Sequence, residues 1–245
     1  DGHITLDEYR AFAADTAADA EARWLDKLFR EQPYQNRYAE RMAVPWLDAA
    51  RYADTSGIHM DAGRQIWPFR DWVLQAYRDN LPFDQFVIDQ LAGDLIPDAT
   101  QDQKIASGFH RCHVTTDEGG AIDAEYLVEY AVDRTATTGA VFLGLTVGCA
   151  RCHEHKFDPI SQEDFYRLYA FFDSNKEPGL YSQVPDSNRA LEPFLVVPSQ
   201  QQQQELAQLQ AKLAEAKEQL AKPASEEQAQ VEAFLQALPD KAGLK

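Results

Sequence analysis

The sequence lacks long apolar runs and is poor in cysteine and in basic residues. No stretch approaches the roughly 20 apolar residues of a membrane-spanning helix, so we expect no membrane span. The chain has 23 Lys and Arg against 40 Asp and Glu, a formal net charge of −17 at pH 7. An acidic surface repels phosphate backbones, which argues against nucleic acid as a partner. Three cysteines, Cys112, Cys149 and Cys152, cannot form a disulfide framework.

The first residues, DGHITLDEYR, are charged and lack the apolar core of a signal peptide. Because the chain opens within a motif and ends on KAGLK, we expect a mature or excised part of a longer protein. The composition, 44% hydrophobic and 11% aromatic, supplies enough apolar surface for a folded core.

Apolar residues recur at three- and four-residue intervals over most of the chain, which predicts a mainly α-helical fold. The longest apolar segment, residues 124–148, is predicted as one helix that ends at a cysteine motif. Ser161 is placed to cap the last core helix, with Asp164 in its first turn. The further predicted helices cover residues 7–54 (kinked or restarted at Pro45), 69–80, 82–93 and 101–108.

Residues 146–159, TVGCARCHEHKFDP, concentrate the chemically active side chains. Cys149, Cys152 and His153 form a C-x-x-C-H motif, the pattern of c-type haem attachment. Two thiols three residues apart can reach two vinyl groups on one porphyrin edge, and the following histidine can bind the iron. The motif therefore predicts one covalent haem c per chain and electron transfer to a redox partner protein or to neighbouring domains.

Three other interpretations of the motif stay open. Zinc could bind Cys149, Cys152 and nearby histidines such as His153 and His155 in a binding or scaffold domain, with Cys112-His113 as a second ligand pair. A redox dithiol would need C-x-x-C at a helix N-terminus after a strand, whereas a helix is predicted before it here. Both thiols could also be purely structural.

A haem iron that transfers electrons usually has a sixth ligand, and His113 and His110 are our first choices for it. His155 is too close to His153 to reach the opposite face of the ring. An open sixth position would instead favour a haem enzyme acting on peroxide or a small ligand. Four arginines could pair with haem propionates, or equally with neighbouring aspartates: Arg51, Arg64, Arg70 and Arg151.

Two acidic segments are weaker candidates for cation binding. DGHITLDEY is similar to the second half of an EF-hand loop, with Asp1, Gly2, Ile4 and Glu8 at ligand positions, although a loop that enters the first helix is preferred. DEGGAID is interpreted as a turn and helix cap, and its carboxylates Asp117, Glu118 and Asp123 could hold a cation.

Several segments together resemble a known family: WLDAARYADTSG, ASGFHRCH, DEGGAIDAEYLVEYAVDRTATTG and GLTVGCARCHEHKFDPISQEDFYRLYAFF. They are similar to the second cytochrome-type domain of large secreted planctomycete proteins, a domain of unknown function, from about residue 5 to residue 180. The resemblance implies haem binding at Cys149, Cys152 and His153, export to the periplasm, cell surface or medium, and a longer parent protein. Many relatives carry Asn in place of Cys112, which weakens the zinc interpretation.

We therefore expect a cytochrome-c-like haem core embedded in a larger, mainly α-helical domain, residues 1–180. A linker with a possible short strand, FLVV, follows over residues 181–199. Residues 200–245 form a coiled-coil-like helical appendage that leads to a missing downstream domain. Its leucine stripe, which could also pair with a part of the parent outside this chain, consists of Leu206, Leu209, Leu213, Ala216 and Leu220.

Overall fold

The computed structural model describes residues 4–58, 61–181, 190–221 and 225–237. Within these residues the chain forms ten α-helices and no strand, so the prediction of a mainly α-helical fold is confirmed. None of these helices is long and apolar enough to cross a membrane. The helices are α1 (Leu6–Ala14), α2 (Ala20–Arg30), α3 (Tyr34–Ala49), α4 (Trp67–Arg78), α5 (Phe83–Ala92), α6 (Gln101–Ala106), α7 (Asp123–Thr138), α8 (Gln162–Asp173), α9 (Gln200–Ala221) and α10 (Ser225–Ala237).

The core of the domain lies between α3, α4 and the 3₁₀ turn Ser107–Arg111 that follows α6. Helix α3 runs through Pro45 without ending there, so of the two predicted alternatives, a kink or a new helix at Pro45, the new helix was wrong. Gly108 lies against Phe69, where an added Cβ would come within 3.1 Å of the Phe69 Cβ. The central buried residues are Ala43, Ala50, Phe69, Val73, Phe109 and Cys112.

Helix α7 is shorter than the sequence predicted, and the segment after it folds back. Thr138 is the last α-helical residue, Gly139–Leu143 form a π-helical turn, and Gly144 adopts a left-handed φ of 66°. Gly139 makes the fold-back possible, because a Cβ there would lie 2.4 Å from a Val147 methyl carbon. The cysteine motif consequently lies on a separate 3₁₀ turn, Val147–Arg151, and not at the end of a long helix.

Helix α8 closes the domain around this turn. It begins with the predicted cap: the Ser161 hydroxyl accepts a hydrogen bond from the Asp164 main-chain N–H at 3.0 Å, and the Asp164 carboxylate accepts one from the Ser161 N–H at 2.9 Å. Helix α8 packs against both α7 and the 3₁₀ turn. The motif is therefore supported by two helices.

The chain divides into two compact units, Asp1–Leu195 and Val196–Lys245. The second unit contains α9 and α10. Three leucines of the α9 stripe, Leu206, Leu209 and Leu213, are 54–55% exposed, and Leu220 is 88% exposed. Residues 194–197 carry no strand, so the predicted strand FLVV does not form.

Candidate functional site

The 3₁₀ turn separates the motif into an inner and an outer face. Cys149 and Cys152 are exposed and carry free thiols, whereas Val147 and Ala150 are buried. A 3₁₀ helix has three residues per turn, so residues three apart share a face. The two thiols consequently project from the outer face, while Val147 and Ala150 hold the inner face against the domain.

His153 follows the turn and is exposed. Its Nδ1 lies 2.7 Å from the carbonyl oxygen of Glu154. A carbonyl only accepts, so Nδ1 carries a proton, and in the neutral ring Nε2 is the nitrogen that keeps a lone pair. A neutral imidazole whose other nitrogen is hydrogen-bonded to a carbonyl is the form that binds a metal in proteins. With the two free thiols, this donor set fits a covalently attached haem.

The turn is anchored to both neighbouring helices through Arg151. Its guanidinium donates to the two carboxylate oxygens of Glu129 on α7, at 2.9 and 2.5 Å. The pairing lowers the pKa of Glu129 and raises that of Arg151. The Arg151 carbonyl accepts hydrogen bonds from Gln162 and Tyr166 at the start of α8, at 3.0 and 3.2 Å. The orientation of the thiols is thus fixed by α7 and α8.

Apolar side chains lie exposed on either side of the motif. Leu143, before the turn, is 61% exposed, and Phe157, after it, is 84% exposed. Tyr166, which contacts the turn through its hydroxyl, is 47% exposed. Such surface could be covered by a flat apolar group held at the outer face.

The residues of the zinc interpretation do not converge. Throughout the described residues, no three His, Cys, Asp or Glu side chains are grouped so that they could hold a metal ion. Cys112 lies in the core between α3 and α4, and burial raises the pKa of its thiol to about 12. A thiol of such high pKa is a poor metal ligand, because the thiolate is the binding form.

His113 is buried and both of its ring nitrogens are hydrogen-bonded. Nδ1 lies 2.9 Å from the carbonyl oxygen of Val114, and Nε2 lies 2.7 Å from an Arg134 nitrogen. Arginine only donates, so Nε2 accepts and the ring is neutral. Burial lowers the pKa of His113. In this structure His113 therefore has no free nitrogen with which to serve as the sixth ligand.

His110 contacts the opposite end of α8 from the motif. Its ring lies 5.1 Å from that of Phe172, whereas the turn contacts Gln162 and Tyr166. Tyr166 and Phe172 are six positions apart on the helix, about 9 Å along its axis. His110 Nε2 lies 3.2 Å from the Leu91 carbonyl oxygen, and Nδ1 is buried without a partner. The structure does not bring His110 to the C-x-x-C-H turn.

Of the four arginines proposed for propionates, only Arg151 belongs to the turn. Arg51 pairs with Asp133, and Arg70 pairs with Asp71. Arg64 is buried, and within the described part of the chain its guanidinium donates to the main-chain carbonyls of Ala53, Arg111, Cys112 and His113. Arg64 therefore stabilises the segment that leads into His113.

A buried ionic cluster, which the sequence did not predict, lies beside His113. Arg134 on α7 donates to both carboxylate oxygens of Glu177, and Arg111 donates to one of them at 2.7 Å. Burial raises the pKa of Glu177, but the adjacent His113 ring and the hydrogen-bonded Arg134 guanidinium outweigh it and hold that pKa well below its usual value. In the sequence, the only sign of this cluster is Arg134, a charged residue among the apolar positions of α7.

The acidic segments form no cation site among the described residues. Asp123 accepts hydrogen bonds from the main-chain N–H groups of Gly179 and Leu180, at 2.9 and 3.1 Å. Asp117 is buried, and neither of its carboxylate oxygens has a hydrogen-bond partner. Asp1 and Gly2 lie outside the described residues. Glu8 belongs to the capping box of α1 with Thr5.

Comparison with known proteins gives one relationship. No curated protein and no solved structure matches the chain. A family described as PSCyt2, protein of unknown function (DUF1549), matches residues 3–177, which include the 3₁₀ turn, His153 and the buried ionic cluster. The chain therefore belongs to the PSCyt2 family, as its resemblance to the planctomycete cytochrome-type domains predicted.

Proposed function

We propose that this chain is an exported c-type cytochrome domain that binds one haem covalently and passes single electrons to a redox partner. It acts in the periplasm, at the cell surface or outside the cell. The observation that carries the proposal is the outer face of the 3₁₀ turn. Cys149 and Cys152 project from that face, and His153 follows with its Nδ1 oriented by the Glu154 carbonyl.

Each residue of the motif has a defined task in this proposal. Cys149 and Cys152 would hold the haem covalently, each thiol adding its sulfur to one carbon of a vinyl group and its hydrogen to the other, without an oxidant or reductant. His153 would offer Nε2 to the iron while the Glu154 carbonyl orients its ring. A bound haem supplies an iron centre that takes up and releases one electron. The exposed turn leaves the attachment edge open to a partner protein.

A second candidate is a haem enzyme whose sixth iron position stays open for peroxide or a small ligand. One observation favours it: both ring nitrogens of His113 are occupied, and His110 lies toward the far end of α8. These contacts support an iron whose sixth position is not taken by either of the two first-choice histidines. The two candidates share the same attachment residues and differ in the occupant of the sixth position.

Production with a cytochrome c maturation system tests the proposal. The purified chain should show a Soret band, a pyridine haemochrome spectrum of thioether-linked haem, and haem that stays bound on a denaturing gel. Cys149→Ala/Cys152→Ala should lose all three signals. Cys112→Ala, which removes the buried thiol, is the matched control and should retain them. A colourless wild-type protein, or one carrying stoichiometric zinc, would overturn the proposal.

A further inference from the structure

The loop that carries the motif, residues 146–158, is closed by the imidazole of His155. We call the hydrogen bonds of this ring to Thr146, Phe157 and Asp158 the clasp. His155 Nε2 lies 2.9 Å from the Thr146 hydroxyl oxygen, on the residue just before the 3₁₀ turn. His155 Nδ1 lies 3.3 Å from the main-chain nitrogen of Phe157 and 2.9 Å from that of Asp158. The ring thus joins the residue before the turn to the two residues that end the loop.

The hydrogen bonds define the protonation of this ring. Two main-chain N–H groups point at Nδ1, so Nδ1 accepts with its lone pair. Nε2 therefore carries the proton and donates it to Thr146. The Asp158 carboxylate also lies close to Nδ1, at 3.2 Å. Both nitrogens of His155 are engaged within the protein, so this histidine is not free to bind a metal.

The His155 side chain is largely shielded from water, whereas the Thr146 hydroxyl that it contacts lies at the exposed surface. The His155 side chain is only 5% exposed, although His153, two residues earlier, is exposed. Its main-chain N–H donates to the Ile160 carbonyl at 2.9 Å, which closes the loop a second time. The two ends of the loop are therefore joined by both the ring and the main chain of His155.

The clasp bears directly on the geometry of the thiols. Thr146, to which His155 donates, begins the turn, and its carbonyl accepts the Cys149 main-chain N–H at 3.1 Å. Loss of the clasp frees Thr146 and with it the first hydrogen bond of the turn. A turn held in place beforehand lowers the entropic cost of holding two sulfurs and an imidazole against one rigid group.

We propose that His155 is a positioning residue that holds Cys149, Cys152 and His153 in their attachment geometry before haem arrives. The link to haem rests on the proposed function, but the clasp is a property of the protein alone. Its effect can thus be measured with and without haem.

Three variants remove the clasp in different ways. His155→Ala deletes both sets of hydrogen bonds. His155→Asn keeps an oxygen acceptor for the main-chain N–H groups of Phe157 and Asp158. Thr146→Val keeps the shape of residue 146 but removes the hydroxyl that His155 contacts. Lys156→Ala is the matched control, because Lys156 is an exposed neighbour whose ammonium lies over the Phe157 ring, 5.2 Å from its centroid.

Amide hydrogen exchange of the haem-free protein is the first measurement. In His155→Ala the main-chain amides of residues 149 and 155 should exchange about tenfold faster than in the wild type, which corresponds to the loss of one or two hydrogen bonds. Thr146→Val should show an intermediate increase, His155→Asn a partial rescue, and Lys156→Ala the wild-type rates. Thermal unfolding of each variant checks that the domain remains folded. If His155→Ala does not fold, the exchange rates of Thr146→Val and His155→Asn are compared with those of the wild type instead.

Covalent haem loading is the second measurement, and it separates the two proposals. We expect His155→Ala to load severalfold less haem than Lys156→Ala at equal protein yield. If His155→Ala has the exchange rates and the haem loading of the wild type, the proposed role of His155 is wrong, and the proposed function is unaffected. If the wild type loads no haem, the proposed function fails, and the exchange rates of the haem-free variants still decide whether His155 holds the turn.

Discussion

Arg134 and Glu177 form a doubly hydrogen-bonded ion pair inside the domain, with side chains only 2% and 3% exposed. The pair ties α7 to the segment after α8, 43 residues away. Arg134 also donates to the main-chain carbonyl of His110 at 2.8 Å. This ion pair thus joins α7, one of the two helices that support the cysteine turn, to the segment that follows the other.

Glu177→Gln should destabilise the domain strongly. The substitution leaves the buried Arg134 guanidinium without its counter-charge, and breaking a buried ion pair from one side costs about 3–5 kcal/mol. Urea unfolding gives the free energy directly. The control is Glu163→Gln, whose partner Arg167 lies at the surface with both side chains 71% exposed, and it should cost less than about 1 kcal/mol. Equal losses in the two variants would contradict the role of the buried pair.

Stability should fall as the pH drops from about 6.5 toward 4. Burial lowers the pKa of His110 to about 4 and lowers that of His113 from its ordinary 6.5. In this window the unfolded chain binds protons that the folded chain excludes, so acid favours unfolding. Each ring contributes a slope of at most about 1.4 kcal/mol per pH unit.

The variant His110→Gln isolates one of these contributions. Glutamine does not titrate, and its amide can still donate to the Leu91 carbonyl that His110 contacts. Urea unfolding at several pH values should therefore give a shallower pH dependence for this variant than for the wild type. If the free energy of unfolding changes with pH in the same way for both proteins, His110 does not contribute to the pH dependence.

Gly139→Ala should displace the cysteine turn. The new Cβ would lie 2.4 Å from a Val147 methyl carbon, and relief of such overpacking costs about 1–3 kcal/mol. Unfolding measurements should show this loss, and haem loading should drop with it. Gly148→Ala, whose Cβ would lie 3.4 Å from the Ala136 Cβ, should be much milder. The double variant Gly139→Ala/Val147→Ala should recover part of the stability; no recovery would argue against the contact.

His113→Ala should leave the spin state of a loaded haem unchanged. Both ring nitrogens of His113 are used by Val114 and Arg134, so its loss removes no iron ligand. Visible and electron paramagnetic resonance spectra before and after the substitution measure this. A high-spin wild type that turns low-spin with cyanide supports the open sixth position. A low-spin wild type that becomes high-spin in His113→Ala would show instead that the ring rearranges to bind iron.

Local sequence signals predicted those parts of the fold that depend on neighbouring residues. The cap formed by Ser161 and Asp164 follows from their three-residue spacing, and it occurs as predicted. Helical periodicity likewise predicted the mainly α-helical class. The C-x-x-C-H spacing located the candidate site. Its division into an inner and an outer face became visible only once Val147 and Ala150 were seen to be buried.

Features that depend on distant contacts escaped the sequence. The segment after Thr138 has helical composition, but the contact of Gly139 with Val147 requires the chain to fold back, which no local propensity encodes. Arg64 was a reasonable surface partner for a carboxylate, yet it is buried among carbonyls of a segment about 50 positions away. The ion pair of Arg134 and Glu177 has the same origin. Acidic and basic residues are common in the chain, and sequence alone does not reveal which of them pair.

The 3₁₀ form of the cysteine turn also limits insertions and deletions. Each residue advances such a turn by about 120°, so one extra residue between Cys149 and Cys152 would rotate the second sulfur toward the side where Val147 and Ala150 are buried. The spacing of two residues between the cysteines is therefore required by the packing of the protein itself. Changes of length are better tolerated outside the loop than within it.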